Sequence, residues 1–161
     1  MASNILLKFA DISGESKQTN YDEWIECESL SFGANAPVSI DGQGLGSGKA
    51  SLSGYHITTM FGAHSPELLE KMLNGKHHTS IDIHILKQTG DATGEKYWTL
   101  AGKKGYIENI SWNAGTDGKL YETIVFHPEA HTWEYFKQNT EDGTLASTGE
   151  KSYNVQVAQT S

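Results

Sequence analysis

The chain has 161 residues with twenty Asp and Glu against twelve Lys and Arg, a formal charge of −8, and one cysteine, Cys27. A single cysteine excludes an intramolecular disulfide scaffold, and the acidic balance without a concentrated basic patch argues against nucleic acid as a partner. No stretch approaches the ~20 apolar residues that cross a bilayer as a helix, so no membrane insertion is expected, and the chain length fits one domain spanning residues 1–161.

In chain order, apolar residues recur mostly with a period of two in short runs separated by glycine-rich turns, the pattern of antiparallel strands. Ile5-Leu6-Leu7, broken by Lys8, is too short for a signal-peptide core, and Ile5, Leu7 and Phe9 share one face of a first strand. Ser13-Gly14-Glu15-Ser16 supplies a turn. A second strand over Trp24 to Phe32 alternates irregularly, because Trp24, Leu30 and Phe32 fall in phase with Glu26 and Glu28. A bulge and a face meeting another subunit both fit that irregularity.

The segment from Gly33 to Gly48 holds five glycines and Pro37 in sixteen residues, too costly to order as an interior strand or helix. It reads as a long extended loop, over about residues 33–48, that carries Val38, Ile40 and Leu45. Structureless loops longer than ~12–15 residues are usually functional or disordered, and three large apolar side chains on this one call for something to bury them.

A strand over Lys49 to Thr58 follows. The one helix is expected over about residues 66–74, with Ser65 as N-cap, Pro66 in the first turn and Gly75 ending it. Leu68, Leu69, Met72 and Leu73 form its apolar stripe, which should lie against the sheet, and Glu67 and Lys71 are spaced as an ion pair. Strands then run over Ser80 to Gln88, Lys96 to Gly102, Tyr106 to Ala114, Leu120 to Phe126, Thr132 to Gln138 and Ser152 to Val157. Turns are expected at Gly90-Asp91-Ala92-Thr93-Gly94 and Gly115-Thr116-Asp117-Gly118. The fold class is mostly β: about nine strands closed into a barrel or packed as a two-sheet sandwich, with one helix and the extended loop.

Chemical motifs are sparse. Gly44-Leu45-Gly46-Ser47-Gly48-Lys49 fails as a phosphate loop, with Gln43 where a glycine and Ala50 where Ser or Thr is required, and it sits in no βαβ unit. His77 and His78 are adjacent and would point to opposite faces of a strand, and Pro128 separates His127 from His131, so no metal or other cofactor is expected. No serine sits in a Gly-x-Ser-x-Gly frame, and Cys27 lies between Glu26 and Glu28, which oppose thiolate formation. Trp24, Trp98, Trp112 and Trp133 all fall in expected strands, where packing is the ordinary role and a sugar-binding platform has no sequence support. No catalytic residue is assigned, and the chain is read as a non-enzyme.

Taken in order, these pieces resemble the haemolysin-coregulated protein (Hcp, EvpC-like) family of type VI secretion. The carriers are Ser13-Gly14-Glu15-Ser16, then Trp24-Ile25-Glu26 leading to Ser31-Phe32-Gly33, then the glycine-rich loop with its exit Lys49, then Ser65-Pro66-x-Leu68 and Gly75-Lys76-His77. The resemblance is dense over residues 5–89 and looser from Gly90 onward. Glu28, Leu30 and the polar tail Ala158 to Ser161 depart from it.

The resemblance implies a β-barrel subunit of a hexameric ring that stacks into the inner tube of the secretion machine. Such a subunit would assemble in the bacterial cytoplasm and be secreted by the apparatus without a signal peptide. The implied partners are its own copies, the spike and sheath, and effector proteins carried in the ring lumen. The extended loop, through Val38, Ile40 and Leu45 with Gly44, Gly46, Gly48 and Lys49, is the expected oligomer and stacking interface. The competing reading is a monomeric small β-barrel that binds a ligand, and a hydrolase with a dispersed site is a more distant one.

Overall fold

The computed structural model describes residues 4–88, 94–156 and 159–160. Its strands are β1 (Ile5–Phe9), β2 (Ile25–Ser31), β3 (Ala34–Asn35), β4 (Val38–Asp41), β5 (Gly44–Ser47), β6 (Ser51–Leu52), β7 (Tyr55–Met60), β8 (His78–Lys87), β9 (Glu95–Ala114), β10 (Leu120–Gln138), β11 (Leu145–Asn154) and β12 (Gln159–Thr160). The helix is α1 (His64–Leu73). The sheet runs β12-β11-β10-β7-β2-β1-β8-β9, and β9 also pairs with β10, which closes β10, β7, β2, β1, β8 and β9 into a six-stranded antiparallel barrel. Closure leaves the barrel without an edge except along the far half of β9.

The period-two residues fill it. Leu7, Phe9, Ile25, Ile57, Tyr55, Ile81, Ile83, Leu100, Ile124 and Phe126 form one buried cluster, and α1 adds Leu68. Alternate positions on the outer face of β1 and β8 give a small second cluster of Leu6, Leu86 and Tyr21, with Trp24 packed on it. The irregular second strand resolves as a bulge, since the β2–β7 register shifts between Cys27 and Ser29. Cys27 is buried, and burial together with Glu26 pushes its thiol pKa up, so it is a packing residue.

Two pairs of expected strands are single long strands. Lys96–Gly102 and Tyr106–Ala114 merge into β9, and Leu120–Phe126 and Thr132–Gln138 merge into β10. Pro128 is tolerated inside β10 because it falls in a gap on one side, after the last β7 pair at Phe126 and before the first β11 pair at Ala130. Opposite it stands Gly105, where a Cβ would lie 2.4 Å from Ile81 Cδ1. β11 begins at Leu145, seven residues before the strand expected at Ser152. Residues 90–93 of one expected turn, and the end of the last expected strand at Val157, lie outside the described residues.

The helix begins earlier than expected. Its N-cap is Ala63, which makes no side-chain cap bond, and Ser65 lies inside the first turn with its hydroxyl turned elsewhere. Leu68 and Met72 face the core, but Leu73 is 75% exposed, so the expected four-residue stripe is only partly buried. Lys71 pairs with Asp11 on the chain that follows β1 rather than with Glu67.

Candidate assembly interface

The segment expected to be an irregular loop is instead a projecting arm with its own hydrogen-bond ladders. β3 and β6 form a short stem, with Ala34 opposite Leu52, and Gly33 and Ser53 tie its base. Beyond the stem, Gly48 N–H donates to Pro37 O at 2.6 Å and closes the foot of a two-stranded ribbon, β4 on β5. Glycine therefore does not prevent strand formation here; it allows the tight return, with Gly44 at φ +134° where side chains are strained.

Val38 and Ile40 are two apart on β4, and Leu45 is the direct partner of Ile40, so all three project from one face of the ribbon. They are 61, 79 and 76% exposed. Gly44, Gly46, Gly48 and Lys49 are exposed as well. The arm thus brings all seven expected residues into one exposed element. Isolated two-stranded ribbons are marginal in water, and one that holds three bare aliphatic side chains gains its stability when that face is covered.

A second open surface lies at the foot of the arm. A groove of about 590 Å³ is lined by Lys49, Leu52, Lys104, Tyr106, Pro128 and Val155, with Tyr106 and Val155 about half exposed. Above it, β8 stops pairing at His78 opposite Gly105, so from Tyr106 to Ala114 the β9 edge away from β10 has no ladder partner among the described residues. Sequence reading missed this surface because its residues come from four separate segments.

Two buried polar clusters fix the elements behind these surfaces. Glu122 is wholly buried, and its carboxylate accepts from His64 Nε2 and Ser65 Oγ, each at 3.0 Å, and from Trp112 Nε1 at 2.6 Å. It anchors the start of α1 to the far half of the β9–β10 hairpin. These are the residue types of a catalytic relay, but serine and histidine both bind the carboxylate instead of each other, and these three side chains are closed to solvent, the arrangement of an anchor. In the second cluster, Trp133 Nε1 donates to Tyr55 Oη at 2.8 Å, and Tyr55 O–H donates to His131 Nδ1 at 3.0 Å. Burial lowers the His131 pKa to about 4, which keeps it a neutral acceptor at neutral pH.

Among the described residues no three His, Cys, Asp or Glu side chains group as metal ligands, and no helix is long and apolar enough to cross a membrane. What the geometry defines is a closed six-stranded barrel with one helix and an apolar projecting ribbon.

The family model described as type VI secretion system effector, Hcp, matches residues 6–135, and the chain belongs to that family. The match runs well past the stretch where the sequence resemblance is dense. A solved type six secretion system protein is 23% identical, with 99% of this chain and 100% of that one covered and a TM-score of 0.90. Hcp1 from Salmonella typhimurium is 18% identical over the whole of both chains, with a TM-score of 0.74. A type VI secretion system effector from Yersinia pestis is 23% identical over 94% of this chain and 99% of that one, with a TM-score of 0.70. At these identities the structures establish the fold. No curated protein sequence matches the chain.

Proposed function

We propose that the chain is a structural subunit that closes with its own copies into a six-membered ring. The rings stack into the inner tube of the type VI apparatus, meet its spike and sheath, are exported by it and carry effector proteins in the lumen. The observation that carries assembly is the ribbon, whose apolar face is exposed in the single chain. A closed ring needs two different patches that fit each other. The ribbon supplies one, and the groove at its foot with the open β9 edge supplies a candidate for the other. A monomeric barrel with a ligand inside is disfavoured by the barrel interior, where Phe9, Tyr55, Phe126 and Leu100 leave no exposed surface.

Covering Val38, Ile40 and Leu45 is worth about 1.5–3 kcal/mol for each side chain. The double substitution Val38→Asp with Leu45→Asp should therefore weaken association by several orders of magnitude. The chain's own unfolding midpoint should stay close to that of the parent, since both residues are already exposed. Sedimentation of parent and variant reads this directly; an assembled variant with the parent's mass would refute the ribbon as an interface.

A further inference from the structure

Outside the barrel, the chain between β1 and β2 folds back over the sheet, held by Gly14 N–H to Glu23 O and Ser16 N–H to Trp24 O. This strap places Tyr21 and Trp24 beside His84 of β8, with Tyr21 edge-on to Trp24 at 5.0 Å and the Trp24 and His84 rings 4.8 Å apart. The three rings form one wall of an open cleft of about 760 Å³. Glu95 and Lys96 at the start of β9, Phe136 of β10, and Thr144 in the β10–β11 connection also line it, with Lys96 Nζ 6.0 Å above the Phe136 ring. The volume falls within the ~300–1,000 Å³ usual for small-ligand sites.

The cleft offers a specific set of bonds. Tyr21 O–H meets His84 Nδ1 at 3.1 Å, and burial with the nearby Lys96 lowers the His84 pKa to about 4. A neutral imidazole that accepts at Nδ1 carries its proton on Nε2. Neither His84 Nε2–H nor the Trp24 indole N–H has an acceptor among the described residues. The one sealed, unpartnered side-chain nitrogen among those residues is His78 Nε2, so both of these donors reach solvent, and both residues line the cleft. Glu95 and Thr144 add acceptors, and Lys96 adds a third donor.

One carboxylate and one ammonium cancel, so the lining carries no net charge to offset the desolvation of a charged ligand. An entirely apolar ligand would strand the donors, each left desolvated without a bond. A ligand with weakly apolar C–H faces ringed by hydroxyls suits both the aromatic walls and the polar rim. We propose that this cleft binds a short neutral saccharide, with a pyranose face against Trp24 or Phe136 and its hydroxyls on His84, Glu95 and Lys96. The site does not depend on ring formation.

The test is titration of the full chain with N-acetylglucosamine trimer and with maltotriose, followed by the indole N–H signals of the four tryptophans. Trp24→Phe assigns the relevant signal. With at least one probe the Trp24 signal should move saturably, with Kd on the order of 1 mM, while those of Trp98, Trp112 and Trp133 stay in place. Glu95→Ala and Lys96→Ala, both at exposed positions, should each weaken that binding at least about threefold, one lost hydrogen bond, with the unfolding curve unchanged. No Trp24 shift at about 20 mM of either probe would overturn the site, since that bounds Kd well above the expected value. Shifts untouched by both alanine variants would also overturn it. A charged probe, digalacturonate, binding as tightly as the neutral ones would overturn the selectivity.

Discussion

Replacing Glu122 with leucine should lower the unfolding free energy by about 3–5 kcal/mol, the usual cost of removing one partner from a buried charged network. The carboxylate is wholly buried and accepts three hydrogen bonds from two elements, His64 and Ser65 on α1 and Trp112 on β9. Leucine fills much of the volume but leaves three donors without their acceptor, and those of His64 and Ser65 are closed to water. Glu122→Gln keeps one acceptor oxygen and sets an amide N–H against a donor, so it should cost less, about 1–3 kcal/mol. Urea unfolding of the three proteins gives the order parent, glutamine, leucine. If both variants fell within ~0.5 kcal/mol of the parent, the level of an ordinary surface substitution, the anchoring role would be wrong.

The second large effect is a loss of stability on mild acidification. His131 has a folded pKa of about 4 and is almost fully buried, whereas an unfolded histidine titrates near 6.5. Because the folded value is the lower one, the unfolded chain binds more protons across this interval. The stabilisation is complete above about pH 6.5 and is lost as the pH falls toward about 4. At 1.36 kcal/mol per pKa unit the loss from His131 is on the order of 2–3 kcal/mol. Protonation would also end its role as acceptor for Tyr55, whose hydroxyl holds Trp133.

His84 acts in the same direction with a smaller effect because it is partly exposed, and burial lowers His78 against the opposing pull of Asp11. Asp82, raised by burial, works the other way, nearer the carboxyl range. Urea midpoints at pH 7.5, 5.5 and 4.5 should fall in that order, and His131→Gln should flatten the series. A series equally steep in His131→Gln and in His84→Gln would show that other groups carry the proton linkage.

Much of the barrel was legible because its residues obey a single local rule. Ile5, Leu7 and Phe9, and likewise Ile81 and Ile83, alternate inward, and the structure pairs Leu7 with Ile83 and Phe9 with Ile81. Glu122 carried a signal that was passed over: it stands two residues before Ile124, in the inward phase, which marks a buried carboxylate. The first seven residues of β11, Leu145 to Lys151, gave no such signal. Its residues are mostly exposed on both faces, and its strand character comes from pairing with β10 alone. Pro128 and Gly105 looked like breaks because each is a poor strand residue by itself. They pair with each other where one edge of β10 needs no donor.

The arm shows a different limit. Glycine content identified an exposed segment with buried intentions for Val38, Ile40 and Leu45, but the ladder that sets them on one face depends on Gly44 and on the Gly48 to Pro37 bond. The Trp24 cleft lay further from reach. Trp24 was placed at the start of a strand as a packing residue, and its neighbours Tyr21, His84, Lys96 and Phe136 meet only through the barrel's closure and the strap.

Self-assembly into a ring is read out by native mass. By light scattering on a sizing column, six copies of the 17.6 kDa chain predict about 106 kDa, the closed cyclic assembly that a heterologous interface permits. A single species of 17.6 kDa across the concentration range, with the ribbon left bare, would rule out the ring.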